Sequence, residues 1–234
     1  MSDGSRLRFP KHSRAIGATV AALLPIIATL VVIQQLAVNV PYQDDWDMLP
    51  FVTHWHAGTL SVADFWEQHS EHRVVALKAA IGAIAAVAGF DVVAHLLAGF
   101  AIAAITFLLV ADLLGRALRE DAAALVAPLV VASSFLMFSL VQQENWLFPT
   151  ASLQLFLLNL CTVTLVWVMA RWPGRWSSVA GGAVCATIGM FTEVSGQLLW
   201  FTGAAAIAWS VPEARDRLLR LIVWAVTGCA MAIA

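Results

Sequence analysis

The sequence contains little charge for its length. Asp, Glu, Lys and Arg make up 12% of the 234 residues, whereas hydrophobic residues make up 61% and the mean hydropathy is +0.82. A soluble domain has about a quarter of its residues charged and about half apolar. The composition therefore excludes an ordinary soluble domain and predicts an integral membrane protein.

Cysteines and phosphate-binding motifs are also scarce. Cys161, Cys185 and Cys229 lie inside apolar runs and lack the Cys-x-x-Cys spacing of a metal or redox site. This pattern argues against a disulfide framework. The chain has no Gly-x-Gly-x-x-Gly motif, no phosphate loop and no nucleic-acid-binding signal, so neither a nucleotide cofactor nor a nucleic-acid partner is predicted.

Long apolar segments fill most of the chain. The run from Ala15 to Val38 corresponds to about 36 Å of helix, more than the ~30 Å hydrocarbon core of a bilayer. We predict an all-α, polytopic membrane helix bundle that forms a single transmembrane module over residues 1–234. The predicted spanning segments are 15–38, 91–114, 122–142, 147–170, 177–192, 196–211 and 218–234.

The apolar stretch 74–90 decides the topology. If it does not cross the membrane, 11 of the 13 basic residues fall on the cytoplasmic side, as the positive-inside rule expects. We therefore predict that 74–90 is a re-entrant or interfacial segment and that the N-terminus is cytoplasmic. The chain ends at Ala234 inside the last apolar segment, which suggests the N-terminal part of a longer protein.

The first outer loop, residues 41–73, carries an unusual density of polar groups. We predict two short amphipathic helices lying on the membrane surface: one from near Asp44 to Gly58, and one over 62–72 that opens on a Ser61–Asp64 capping box. On the second helix Asp64, Glu67 and Glu71 would share one face. Trp46, Trp55, Phe65 and Trp66 are aromatic residues of the kind found at headgroup level.

The order of these motifs resembles that of GT-C fold glycosyltransferases. That superfamily includes the protein O-mannosyltransferases and the lipid A aminoarabinose transferases. The resemblance rests on Asp44-Asp45 after the first helix, Glu71-His72-Arg73 at the end of the loop, and Gln142–Trp146 in a second outer loop. It covers roughly residues 40–150 by motif and is closest to uncharacterised bacterial members. The prolines that follow the basic residue in the family are missing after Arg73.

The resemblance implies a transferase of the bacterial inner membrane. Such enzymes move a sugar from a polyprenyl-phosphate donor to an acceptor glycan, lipid or protein on the non-cytoplasmic face. Asp44 would be the base that receives the acceptor's proton, and Asp45 would orient the acceptor or tune Asp44. Groups expected at the donor phosphate, the sugar or the acceptor are Arg73, His72, Glu71, Lys78, Glu144 and Asn145.

Each of these residues also has a purely structural interpretation. Asp44 or Asp45 can cap the juxtamembrane helix, Arg73 can anchor a helix at the interface, and Asn145 can cap the helix at 147–170. His69 and His72, three apart on a helix, can share a metal ion, but no further ligand cluster in the sequence completes such a site. The sequence therefore predicts no cofactor, although a divalent ion is possible.

Two other function classes fit a multi-pass helical chain. A transporter or carrier would place its charged residues near the bilayer midplane on broken helices, whereas here the acidic residues gather at one face. An inactive membrane fragment remains a third interpretation because of the abrupt end at Ala234. The sugar, the acceptor and the length of the lipid are not encoded in any pattern that we find.

Overall fold

The structure is a computed structural model that describes residues 11–69, 72–118 and 122–233. It is all-α apart from one two-stranded hairpin. The helices are α1 (Lys11–Leu36), α2 (Asp45–Ala57), α3 (Val62–Trp66), α4 (Val75–Ala88), α5 (Val92–Ala117), α6 (Ala123–Met137), α7 (Gln143–Leu147), α8 (Pro149–Arg171), α9 (Trp176–Met190), α10 (Leu198–Ser210) and α11 (Ala214–Ile233). The strands are β1 (Gln68–His69) and β2 (His72–Arg73).

Among the described residues, four stretches are long and apolar enough to cross a bilayer. They are Ile16–Leu36, Val92–Ala117, Ala123–Leu147 and Pro149–Arg171. Helices α9 and α10 have 15 and 13 residues, or about 22 and 20 Å, so each is shorter than the ~30 Å hydrocarbon core. The prediction of an all-α membrane bundle is confirmed. The prediction that both short helices span the bilayer individually stays a prediction.

Two contacts between distant parts of the chain define one end of the bundle, which we call the loop end. The side-chain oxygen of Asn39, just after α1, accepts a hydrogen bond from the backbone N–H of Val92 at the start of α5 (2.8 Å). The N–H of Ala76 in α4 donates to the carbonyl of Phe191 after α9 (2.9 Å). Because α5 starts beside the end of α1, the segment that connects them, which includes α4, begins and ends at this same end of the bundle.

The centre of the bundle is the contact between α5 and α8. The two helices approach so closely at Gly99 that a β-carbon there would collide with the side chain of Ser152. Beside this crossing, Phe138, Trp146 and Phe156 stack with ring centroids 4.4–5.7 Å apart. Helix α1 is held to α6 because the Thr29 hydroxyl donates to the carbonyl of Phe138, the residue after α6, and the Ser134 hydroxyl donates to the carbonyl of Ala22 in α1.

The predicted helix over 62–72 is wrong in its second half. Helix α3 ends at Trp66, and the chain turns into the β1–β2 hairpin, in which Gln68 pairs with Arg73 and His69 with His72. A continued helix would use the carbonyls of Asp64 and Glu67 for its own hydrogen bonds. Instead both carbonyls accept hydrogen bonds from the Lys78 ammonium, at 2.7 and 3.1 Å. Glu71, predicted to share a helical face with these residues, lies outside the described residues.

The predicted segment 122–142 is also divided. Helix α6 ends at Met137, and a 3₁₀ turn (Leu140–Gln142) and the short α7 follow. The Ser139 hydroxyl accepts from the N–H of Val141, and the indole N–H of Trp146 donates to the Ser139 carbonyl (3.1 Å). These hydrogen bonds take the place of the backbone hydrogen bonds of a continued helix. They hold the second polar loop, Gln142–Trp146, against the bundle.

Candidate functional site

Helix α2 lies at the loop end, and the acidic pair Asp44-Asp45 is at its start. It packs against α4 through Met48, Phe51 and Val52, which are buried together with Leu77 and Ile81. The helix ends at Gly58, whose φ of 67° is a left-handed conformation that favours glycine. Its acidic first turn complements the positive end of the helix dipole. The sequence therefore places a rigid helix just above the membrane-length bundle.

Asp44 occupies the N-cap position of α2 without acting as a cap. Its backbone lies in the helical region, its side chain accepts no capping hydrogen bond, and the residue is exposed. The capping interpretation of this carboxylate is therefore wrong for the observed conformation. The Asp44 carboxylate is available to a ligand at the membrane surface.

Asp45 is buried, with 1% of its surface exposed, and both carboxylate oxygens have partners. One oxygen accepts from the backbone N–H and the hydroxyl of Thr150, at 3.0 and 2.6 Å, and the other accepts from the N–H of Tyr42 at 2.9 Å. Because Thr150 lies in the first turn of α8, Asp45 caps α8 rather than its own helix. Nearby, the rings of Tyr42 and Phe148 stack at 4.5 Å. The surroundings of Asp45 are those of a structural residue, and its predicted role toward the acceptor stays a prediction.

His69 lies between two carboxylates. Its Nε2 is 3.9 Å from Asp44 Oδ2 and its Nδ1 is 4.0 Å from Asp47 Oδ2, and only 13% of its side chain is exposed. One ligand atom from each of the three residues lies within 4.8 Å of the others, a spacing that can hold a cation. The hairpin thus brings His69 to a cluster that the sequence analysis did not find. His72 faces His69 across the hairpin, and within the part of the chain that the structure describes its buried Nε2 has no hydrogen-bond partner.

A cleft of about 470 Å³ opens between α2, α3 and β1. This volume is within the usual range for small-molecule sites. Its polar lining consists of Asp47, His54, Asp64, Glu67, Gln68, His69 and Lys78, and its apolar lining includes Trp46 and Phe51. Three carboxylates face one ammonium, and Asp44 adds a fourth carboxylate beside His69. The cleft therefore has a negative potential and favours a ligand that presents positive or hydroxyl groups.

Lys78 is the cation built into the cleft. It lies on α4 with 4% of its surface exposed, and besides the two carbonyls it faces the Glu67 carboxylate at 3.9 Å. Burial lowers the pKa of the Lys78 ammonium below its ordinary value, and the neighbouring Glu67 and Asp64 partly oppose this. Through its hydrogen bonds Lys78 connects α4 to α3, and its charged ammonium lies beside the cleft.

The predicted capping box at the start of α3 is confirmed. The Ser61 hydroxyl accepts from the Asp64 N–H, and the Asp64 carboxylate accepts from the Ser61 N–H at 2.6 Å. Asp64 also pairs with His54 Nδ1 at 2.8 Å. The hydrogen bonds from Ser61, followed by that to His54, hold the pKa of the Asp64 carboxyl well below its usual range.

The remaining predicted residues lie away from the cleft lining. Arg73 is exposed, and its guanidinium lies over the Trp66 ring at 5.3 Å, while Trp66 in turn contacts Phe191. Glu144 is exposed on α7, and Asn145 donates to the side chain of Gln142 at 3.4 Å. Asn145 does not cap α8, because that helix begins at Pro149.

Asp47 is the site residue that the sequence analysis missed, and His69 was considered there only as a metal ligand paired with His72. A signal for Asp47 was present, since it lies three residues after Asp44 and the two therefore share a helical face. The sequence could not place His69 beside Asp44 and Asp47, because that position depends on the hairpin. Comparisons with known proteins add no assignment: no family model, no curated protein and no solved structure matches this chain.

Proposed function

We propose that the loop end binds the headgroup of a lipid-linked sugar phosphate and transfers the sugar to an acceptor. The observation that carries this proposal is the Asp44 carboxylate, which is exposed, takes no part in capping and lies beside His69 at the edge of an acidic cleft. This is a polar site at the end of membrane-length helices. A lipid-anchored substrate can reach such a site from the bilayer.

In the proposed reaction, an acceptor hydroxyl or amine attacks the anomeric carbon of the sugar. The new bond to that carbon forms as the bond to the phosphate oxygen breaks, and the polyprenyl phosphate leaves with the electron pair. The acceptor's proton passes to the Asp44 carboxylate, whose Oδ2 lies 3.9 Å from His69 Nε2. The carboxylates lining the cleft suit the hydroxyl or amine groups of sugar and acceptor.

The departing phosphate needs positive charge, which the acidic cleft supplies poorly. Lys78 contributes part of it, but its ammonium is already bound to two carbonyls. Arg73 is exposed on β2, where it pairs with Gln68 of the cleft lining, and it is the better phosphate ligand because its guanidinium is forked. We therefore assign donor phosphate contact to Arg73, with His72 and Lys78 as supporting groups.

The distribution of polar groups favours this enzyme over a transporter. The charged side chains of the cleft are gathered above the ends of the membrane-length helices rather than near their middles, where transporters place theirs. Within the helices, the hydroxyls of Thr29, Thr106 and Ser134 bind backbone carbonyls and line no charged path. In this proposal the loop end faces the non-cytoplasmic side of a bacterial plasma membrane.

The test is sugar transfer in membranes that contain the full-length protein. We would measure transfer from a radiolabelled polyprenyl-phosphate sugar for the wild type, for Asp44→Asn and for Asp47→Asn. A general base contributes about 100- to 10,000-fold in rate, so Asp44→Asn should transfer at least about 100-fold more slowly. Glu213→Gln is the matched control, because Glu213 is an exposed carboxylate before α11, far along the chain from the loop.

The outcome is informative only for protein that is inserted and folded, so each variant is first quantified by detergent extraction and size exclusion. If Asp44→Asn transfers sugar at the wild-type rate, Asp44 is not the general base. No transfer by the wild type with any of several polyprenyl-phosphate sugars would remove the transferase itself.

A further inference from the structure

A second cleft, of about 330 Å³, opens at the end of the bundle opposite the loop end, where α8 ends and α9 begins. Its lining consists of Val168, Trp172, Arg175, Ser177 and Gly181, none of which belongs to the acidic cleft at the loop end. Glycine keeps the floor open, because a β-carbon at position 181 would come within 3.3 Å of the Val168 side chain. We call this site the α8–α9 cleft.

The lining of the α8–α9 cleft changes from polar to apolar with depth. Arg175 and Ser177 lie at the helix ends and are exposed. Val168 lies three residues before the end of α8, and Gly181 lies five residues after the start of α9. These two residues are therefore about 4 to 8 Å further into the bundle. Because α8 is of membrane length, this order follows the change from the headgroup region to the hydrocarbon.

Two arginines without a carboxylate partner flank the mouth of the cleft. Arg175 belongs to the lining, and the guanidinium of Arg171 lies over the ring of Trp172, another lining residue, at 5.7 Å. Both arginines are exposed, and among the described residues neither forms an ion pair. By contrast, Arg116 and Arg220 each pair with an aspartate of their own helix at 2.6 Å. The mouth therefore carries positive charge that attracts an anion.

The ligand has to match both parts of the cleft. A soluble anion would use the arginines and leave the apolar floor in water. A zwitterionic lipid would cover the floor but bring its own cation to the arginines. A phospholipid with a net negative headgroup satisfies both, since its charge suits the mouth and its chain suits the floor. The first turn of α9, which no side chain caps, adds backbone N–H groups that favour a phosphate.

We propose that the α8–α9 cleft binds an anionic phospholipid of the surrounding membrane. The phosphate lies between Arg171 and Arg175, and the upper part of one acyl chain covers Val168 and Gly181. The site is at the opposite end of the bundle from Asp44, so the proposal does not depend on the proposed transferase activity.

The first test measures lipid binding to the purified full-length protein by native mass spectrometry. Phosphatidylglycerol and phosphatidylcholine with the same acyl chains are titrated separately. We expect the wild type to prefer phosphatidylglycerol, and Arg175→Gln to bind it about fivefold more weakly, the contribution of one arginine near a membrane surface. Arg215→Gln is the matched control, because Arg215 is an exposed arginine at the start of α11, at the same end of the bundle. Equal affinity for the two lipids, or equal affinity of the two variants for phosphatidylglycerol, would overturn the proposal.

The second test separates a membrane lipid from a soluble phosphate. Glycerol phosphate carries the anion without acyl chains, so it should not displace phosphatidylglycerol at equal concentration. Gly181→Leu places a side chain on the cleft floor and should weaken lipid binding about tenfold, the equivalent of about two buried methylene groups. Gly115→Leu, at a glycine with no atom within 4 Å of an added β-carbon, is the control and should bind like the wild type. Displacement by glycerol phosphate, or wild-type affinity in folded Gly181→Leu, would overturn the lipid site.

Discussion

The Asp45 carboxylate binds both the backbone N–H and the hydroxyl of Thr150, a residue 105 positions later in the chain. This contact fixes the start of α2 against the first turn of α8. It gives the two neighbouring acids different surroundings, because Asp45 is buried in the fold while Asp44 points outward to the rim of the cleft. Asp45, held in place by Thr150, is therefore the direct neighbour of Asp44, the residue that we propose as the general base.

Replacing Asp45 should destabilise the protein, whereas replacing Asp44 should not. Asp45→Ala leaves the Thr150 N–H and hydroxyl buried without a partner, which costs about 2–4 kcal/mol. Asp44→Asn alters an exposed side chain without a capping bond and should change stability by less than about 0.5 kcal/mol. Thermal stability in detergent, followed by size exclusion, measures both. Equal melting temperatures for the two variants would contradict the structural role of Asp45.

Two glycines of α5 should respond oppositely to the same substitution. Gly99→Ala forces a methyl group into Ser152 at the contact with α8 and should cost about 1–3 kcal/mol. Gly115→Ala, in the same helix but with no atom within 4 Å of the added carbon, should stabilise by up to about 1 kcal/mol through helix propensity. The comparison uses the same melting assay. Similar effects at both positions would mean that α5 and α8 do not pack closely at Gly99.

The contribution of Asp64 to the stability of the first outer loop should be lost only at unusually acidic pH. Asp64 has a lowered pKa in the folded state, so its stabilising contribution is complete above the unfolded pKa of about 3.9 and is lost as the pH falls through the lower folded value. Ser61→Ala removes the largest cause and should return the pKa toward about 3.9. Carbon NMR of labelled aspartate follows the titration. Thr59→Ala, another hydroxyl removed from the loop, should leave the Asp64 titration unchanged, and an equal shift there would point to general loosening.

Single cysteines should report one common side for the segments around Gln143 and Ser195 at the loop end. Positions Gln143 and Ser195 are exposed there, and Ser177 is exposed near the opposite end of α8 and α9. We expect a membrane-impermeant maleimide to label Gln143→Cys and Ser195→Cys from outside, and Ser177→Cys only after permeabilisation. Position 177 is preferable to Gly174, whose φ of 70° disfavours a side chain. Labelling of Ser177→Cys in intact cells would reverse the proposed orientation.

Arg73→Lys distinguishes phosphate binding from anchoring. If the guanidinium grips the donor phosphate, the substitution keeps the charge but loses the forked geometry, so transfer should fall about tenfold or more. If Arg73 only rests on Trp66, lysine should serve nearly as well. The transfer assay is the readout, with Arg215→Lys near the start of α11 as the control. Near-normal transfer by inserted Arg73→Lys would assign Arg73 to anchoring of the hairpin.

The sequence determined the class of the protein and much of its local structure. Low charge and long apolar runs require a helical membrane bundle, because only helices satisfy their own backbone groups in a single apolar segment. The end of α2 at Gly58 and the capping box at Ser61 were also predictable, since both depend on residues within one helical turn. For the same reason the sequence alone locates the acidic surface of α2.

The tertiary structure decided which of these residues form the site. Lys78 ends α3 early by taking the carbonyls that a longer helix would use, and the resulting hairpin carries His69 to Asp44 and Asp47. Thr150, far along the chain, binds the Asp45 carboxylate and fixes it in the fold, whereas the Asp44 side chain stays exposed. The sequence shows two adjacent acids as equivalent, because local patterns carry no information about partners a hundred residues away. Only the packing of α2 against α4 and α8 distinguishes them.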